Sequence, residues 1–173
     1  LNYIINAPIE IHIISILWIM QFGKYFYNGE YSYGNELEKN FDSPYNKKLF
    51  KPYFSNYTKW RDRSLDKIEE LNKANENAIF ISMDIKRYYY NVNIDFDELK
   101  KLSSYDELDT KRLTSLLEHI HSTYSEKLNK VINIRNKKVL PIGLLTSNLL
   151  ANWFLNEVDE RIIKNIKPYH YGR

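Results

Sequence analysis

A chain of 173 residues, 43% hydrophobic and 15% aromatic, carries enough apolar material for one packed domain, which excludes disorder over most of its length. It has no cysteine, so disulfide frameworks and thiolate metal sites are excluded, and a reducing compartment is compatible with that composition. The formal net charge of +3 decides little, but the cations are unevenly placed.

In chain order, Pro8 suits the start of a helix expected to run to about Tyr27. Its apolar run from Ile13 to Met20 is too short for a membrane span and is bounded by Glu10, His12 and Gln21, so a buried helix is the better reading. No charged leader or cleavage site precedes it. Residues 28–46 are polar, with Gly29, Gly34 and Pro44, and read as a loop. From Pro52, the positions Tyr53, Tyr57, Trp60, Leu65, Ile68 and Leu71 follow helical spacing as far as the Asn-rich stretch near Asn75. Lys47, Lys48, Lys51, Lys59, Arg61 and Arg63 are interleaved there with Phe50, Tyr53, Phe54, Tyr57 and Trp60. Such a mixture suits a phosphate backbone carrying stackable bases, although a solvated amphipathic helix has the same pattern.

Residues 78–85 alternate as a strand does. Ile79, Ile81, Met83 and Ile85 form one face, expected to pack on helices, and Asp84 falls on the other, facing a cleft. A strand-end carboxylate offers hard oxygen to a divalent cation, and an aromatic ring five residues later can wall whatever that cation binds. Of Tyr88, Tyr89 and Tyr90, not all three are expected in a core, since each buried hydroxyl needs a partner. Residues 95–102 read as a short helix and 109–131 as a long one, striped by Leu113, Leu117, Ile120, Tyr124 and Leu128. His119 and His121 are two apart and so face different ways, which excludes easy joint metal ligation.

A second basic cluster, Lys127, Lys130, Arg135, Lys137 and Lys138, borders a turn or hairpin at 133–139. Gly143 permits a close backbone approach ahead of a helix capped by Thr146 or Ser147, which carries Leu150, Phe154, Val158 and Ile162 and is broken by Pro168. A helix start of this kind favours phosphates or sugar hydroxyls. Residues 169–173 resume as an extended segment, and no nucleophilic triad or phosphate loop is present.

Phe80-Ile81-Ser82-Met83-Asp84-Ile85-Lys86-Arg87-Tyr88-Tyr89-Tyr90-Asn91-Val92 resembles the first palm motif of reverse transcriptases. Leu140-Pro141-Ile142-Gly143-Leu144-Leu145-Thr146-Ser147-Asn148, continuing through Leu150-Ala151-Asn152 to Asp159, resembles their second. Tyr169 to Arg173 resembles the lead-in to the third, whose Y-x-D-D would follow. Tyr31–Leu37, Leu49–Tyr53 and Tyr57–Arg61 are similar to the fingers of the abortive-infection and defence-associated bacterial groups.

The resemblance implies an α+β right-hand polymerase fold, with mostly helical fingers at 1–77 and a palm at 78–173. The palm's antiparallel sheet would pack on helices and carry Asp84 on its central strand. It implies magnesium-dependent, RNA-directed DNA synthesis from deoxynucleoside triphosphates on an RNA template and DNA primer, in a bacterial cytoplasm, in antiphage defence, with no membrane and with room for a homo-oligomer. Asp84 and the Ile85 carbonyl would hold metal, and Tyr89 would be the steric gate against ribose. Lys59 or Arg61 would neutralise the triphosphate, and Gly143 would lie close to the nascent base pair. Two positions depart from the family pattern: Ile142 stands where glutamine is usual and Asn148 where proline is common. Ile142 cannot hydrogen-bond a nucleotide, which suits template-independent or protein-primed synthesis; an inactive RNA-binding scaffold is the alternative of another class. Leu1 in place of an initiating methionine and the missing aspartate pair imply a piece of a longer protein, inactive by itself.

Overall fold

The structure is a computed structural model that describes residues 2–26, 30–45, 47–102 and 108–173, with side chains from 111 onward in the last stretch. Six α-helices organise the described residues: α1 (Ile9–Phe22), α2 (Tyr53–Lys73), α3 (Tyr88–Asn91), α4 (Phe96–Leu102), α5 (Leu108–Asn129) and α6 (Leu145–Ile166). A 3₁₀ turn, Gly23–Phe26, continues α1; Tyr27, the expected end of that helix, lies outside the described residues.

The core forms where α1, α5 and α6 meet. Trp18 lies 5.3 Å from Phe22 and 5.1 Å from Phe26, ring to ring, and Phe26 meets Trp153 of α6 edge-on at 5.3 Å. The Trp18 indole donates a 3.2 Å hydrogen bond to Thr114 of α5, so this large ring is buried with its one donor satisfied. Burial of each such side chain contributes about 1.5–3 kcal/mol. The membrane-like run of α1 is therefore a core helix, and no described helix is long and apolar enough to cross a membrane.

The expected α+β class and antiparallel palm sheet are overturned. Among the described residues there is no strand, only isolated bridges between Ile4 and Ile142 and between Leu37 and Phe50. Residues 76–85, whose alternation suggests a strand, carry no regular secondary structure, and no described segment forms a bridge with them. A strand needs a ladder partner for its backbone groups, and alternation reports only side-chain polarity. The face expected to pack on helices is in solvent: Ile79 is 91% exposed and Ile81 72%.

Burial does alternate one segment later. Tyr90, Val92, Ile94 and Phe96 point inward while Asn91, Asn93 and Asp95 point out. Hydrogen bonds from Ile94 N to the Lys138 carbonyl and from Leu140 N to the Tyr89 carbonyl, each 3.1 Å, tie this stretch to 138–140.

The amphipathic stripe of α2 is present, yet only Asn56 on that helix is buried. Its apolar side is covered in part by the C-terminal segment. Trp60 packs on Gly172, Ser64 lies 3.3 Å from His170, and Tyr169 donates to Glu70 at 3.3 Å. Tyr33 N bonds to the Arg173 carbonyl at 2.8 Å and Arg173 N to the Tyr31 carbonyl at 2.9 Å, closing the segment onto the loop before α2.

Candidate active site

The two motif segments meet around Tyr89. Its carbonyl receives the Leu140 amide, and its ring packs with Ile142 against a small cluster of Tyr90, Tyr124, Leu128 and Val139. Its hydroxyl donates a 3.0 Å hydrogen bond to Oδ1 of Asn148 on α6. Burial raises the Tyr89 pKa, so the phenol stays protonated and able to donate. Asn148, the residue that departs from the family's proline, is thus the acceptor that orients this ring.

The flanking tyrosines are structural. Tyr88, half-buried, donates to the Ala151 carbonyl at 2.6 Å and stands edge-on to Tyr89 at 6.0 Å. Burial raises its pKa strongly, against the opposing pull of Arg173. Tyr90 is buried, and its hydroxyl accepts the Tyr3 amide at 2.7 Å.

Asp84 stands apart from this packing. It is exposed, and no hydrogen bond or ion pair holds it among the described residues. A free carboxylate with the Ile85 carbonyl beside it suits a hard divalent cation in ligand type. It supplies only part of a coordination sphere, because the described residues contain no group of three or more acidic, histidine or cysteine side chains that could hold a metal.

Gly143 has φ +109°, a conformation that glycine adopts without strain. A Cβ there would come within 3.0 Å of Ile4 Cγ2 and 3.3 Å of Ile5 Cγ2. The close approach in this structure is therefore to the N-terminal segment, which the Ile5 amide fastens to the Ile142 carbonyl at 2.8 Å. Lys59 and Arg61 lie exposed on α2, Arg61 paired with Asp62 at 2.7 Å, and no described hydrogen bond or ion pair brings either to Asp84 or Tyr89.

The helix that follows is capped differently from expectation. It begins at Leu145 after Leu144, which makes no side-chain cap, so Thr146 lies inside the first turn. Ser15 of α1 fills the capping role from across the core: its Oγ accepts the Thr146 amide at 3.0 Å and donates to Thr146 Oγ1 at 3.1 Å. Ser147 is buried, and its hydroxyl has no partner among the described residues.

A family model described as reverse transcriptase (RNA-dependent DNA polymerase) matches residues 37–172, well over half of the chain. The chain belongs to the reverse transcriptase family. Searches of curated proteins and of solved structures gave no match. As a reverse transcriptase domain, it falls among nucleotidyltransferases that use a nucleic-acid template and nucleotide substrates and generally employ divalent metal ions.

One ion-pair network in this reverse transcriptase domain was not foreseen from its sequence. Asp159, buried on α6, receives Arg173 Nε on both carboxylate oxygens at 2.8 Å and the Tyr171 hydroxyl at 2.7 Å. The same guanidinium donates to the Asn152 carbonyl at 2.8 Å and to Asn156 Oδ1 at 3.0 Å. Asn152 and Asp159 lie in the second motif, so the signal was visible, but their partner is reached only through the fold. The burial of His121 was also not foreseen. Its ring is fully buried against Phe96 at 5.1 Å, and neither ring nitrogen has a hydrogen-bond partner among the described residues. Burial lowers its pKa to about 3; the Val139 backbone opposes this slightly without reaching hydrogen-bond geometry.

Proposed function

We propose that this chain supplies the sugar-selecting wall and one metal-binding carboxylate of a magnesium-dependent, RNA-directed DNA polymerase. The observation that carries the proposal is the Tyr89 ring, fixed by Asn148 and the Leu140 pairing five residues from an unengaged Asp84, in a reverse transcriptase domain. Asp84 and the Ile85 carbonyl would hold the metal, and further carboxylates must complete the set. Bound magnesium would activate the primer 3′-hydroxyl and stabilise the departing pyrophosphate. Tyr89 would lie under the sugar and exclude a ribose hydroxyl, its phenol held protonated and turned toward α6. Arg61 or Lys59 would neutralise the triphosphate, Arg61 through a bidentate fork once released from its weak, exposed pair with Asp62.

In this reading residues 1–77 serve as fingers and 78–173 as palm, partners are an RNA template, a DNA primer and deoxynucleotides, and residues 1–173 alone are inactive. The similarity of the segments around Tyr31, Leu49 and Tyr57 to defence-associated bacterial enzymes supports an antiphage role in the bacterial cytoplasm. A second reading, template-independent or protein-primed synthesis, is favoured by Ile142, whose apolar side chain packs into the Tyr90 and Tyr124 cluster and offers no hydrogen bond.

The test is incorporation of labelled deoxynucleotides by the full-length protein in magnesium, with and without RNA template. Template-dependent incorporation, with ribonucleotides admitted once Tyr89→Ala is introduced, is the expected result. Incorporation without template selects the second reading. Binding of RNA with no incorporation under any condition would leave only a scaffold.

A further inference from the structure

The turn after Asp84 opens onto a cavity of about 320 Å³ on which the catalytic reading places no demand. Its walls come from that turn and from the loop after α5, and they include Arg87, Tyr90, Asn91, Asn133, Arg135 and Asn136. No acidic residue lines it, so its formal charge rests on two guanidinium groups. Neither Arg87 nor Arg135 has a side-chain ion pair or hydrogen bond among the described residues. The other close basic group of this loop, Lys138, is by contrast spent on Glu118 at 2.5 Å.

The cavity is built rather than incidental. Arg87 sits in the left-handed region at φ 54° and ψ 38°, which costs a non-glycine residue roughly 1 kcal/mol. Asn91 donates to the Lys86 carbonyl at 3.0 Å and so closes the strained turn. Asn136 donates to the Asn91 carbonyl at 2.8 Å and also reaches the Tyr90 carbonyl at 3.4 Å, lashing the second wall to the first. Both amide hydrogens of Asn136 and one of Asn91 are thereby engaged in holding shape, and the two arginines are the charged donors available to a guest. Planar guanidinium forks on two walls of a concave, acid-free site match a tetrahedral oxyanion. Lys130 and Lys137 flank these residues in sequence and add positive charge to this part of the chain.

We infer that this cavity binds a backbone phosphate of the nucleic acid, gripped between Arg87 and Arg135. The inference rests on the polymerase reading for its ligand class, and it makes Arg87 and Arg135 positioning residues for the strand. A strand anchored there is held close to Asp84, because three residues of chain span at most about 10 Å.

The test is binding of a labelled single-stranded oligonucleotide by the full-length protein across a range of salt concentrations. Arg87→Gly, Arg135→Gln and their combination are compared with Lys24→Gln/Lys73→Gln, a control that removes the same charge elsewhere. Arg87→Gly relieves the left-handed strain, so it folds at least as well as the parent and its binding loss is not a folding loss. The combined variant should bind at least tenfold more weakly at low salt. Its plot of log affinity against log salt should flatten by about 0.7 for each phosphate that is no longer neutralised. The control pair and the KM for deoxynucleotides should stay near the parent values. Parental affinity and slope in the combined variant would overturn the inference, as would an equal loss in the control. A raised deoxynucleotide KM with unchanged oligonucleotide binding would also overturn it, by making the incoming nucleotide the guest. If the unaltered protein binds no nucleic acid, the polymerase reading falls along with the inference.

Discussion

Asp84 and Tyr89 are five residues apart and live in opposite surroundings. The segment that carries Asp84 has no regular structure and no bridge partner among the described residues, and Ile79, Phe80, Ile81 and Met83 around it lie in solvent. The segment that carries Tyr89 is anchored by the Leu140 amide, by Asn148 and by alternating buried side chains from Tyr90 to Phe96. The ring proposed to face the sugar is thus part of the packed fold, while the carboxylate is set on an arm that the described residues do not fix. Substitutions on the anchored side should therefore cost stability, and those on the arm should not.

The largest stability effect is expected at Asp159, on the anchored side. Asp159→Ala leaves the Arg173 guanidinium half-buried without its counter-charge, which should destabilise the fold by roughly 3 kcal/mol in chemical denaturation. A loss under 1 kcal/mol would show that the network is dispensable and that the C-terminal segment is only loosely attached.

His121 should give an acid sensitivity of similar size. Its folded pKa is lowered to about 3 from 6.5, so the unfolded chain takes up a proton that the folded one refuses. The His121 contribution is neutral above about pH 6.5 and turns increasingly destabilising as pH falls from there toward 3. Measured against His121→Leu, the parent should lose about 3 kcal/mol more between pH 7 and pH 4. Parallel pH profiles for the two proteins would mean that the ring is not sealed from water.

Asn148→Ala removes the acceptor of the Tyr89 hydroxyl. It should cost about 1 kcal/mol and relax discrimination against ribonucleotides in the full-length enzyme, because the ring loses its tether. Intact sugar selectivity would show that packing alone orients the ring. At the small end, Ile81→Ser on the exposed arm should change stability by no more than about 0.5 kcal/mol. A cost near that of a core residue would mean that the arm is packed after all.

Helices were the legible part of the sequence, since a 3.6-residue stripe identifies an apolar face wherever it occurs. What covers a face is not written in the stripe: α1, apolar on nearly every side, is sunk in the core through Trp18 and Phe22, while the far more clearly striped α2 buries only Asn56. Alternation at 78–85 likewise did not make a strand: these residues carry no regular secondary structure, and the expected sheet is absent among the described residues. Thr146 looked like a cap by its place before an apolar run, yet the cap is Ser15, 131 residues away. Of the site, Asp84, Tyr89 and Gly143 could be singled out from residue type and spacing. The roles of Asn148, Arg173 and Arg87 depend on segments that meet only in the folded chain.

The central claim is that Asp84 acts in chemistry and not in folding. Its most direct test is paired measurement of deoxynucleotide incorporation and melting temperature for the full-length protein and its Asp84→Ala variant. Removal of a metal-binding carboxylate forfeits several kcal/mol of transition-state stabilisation, so incorporation should fall on the order of 10³-fold or more while the melting temperature stays put. Incorporation that survives the substitution would contradict the account.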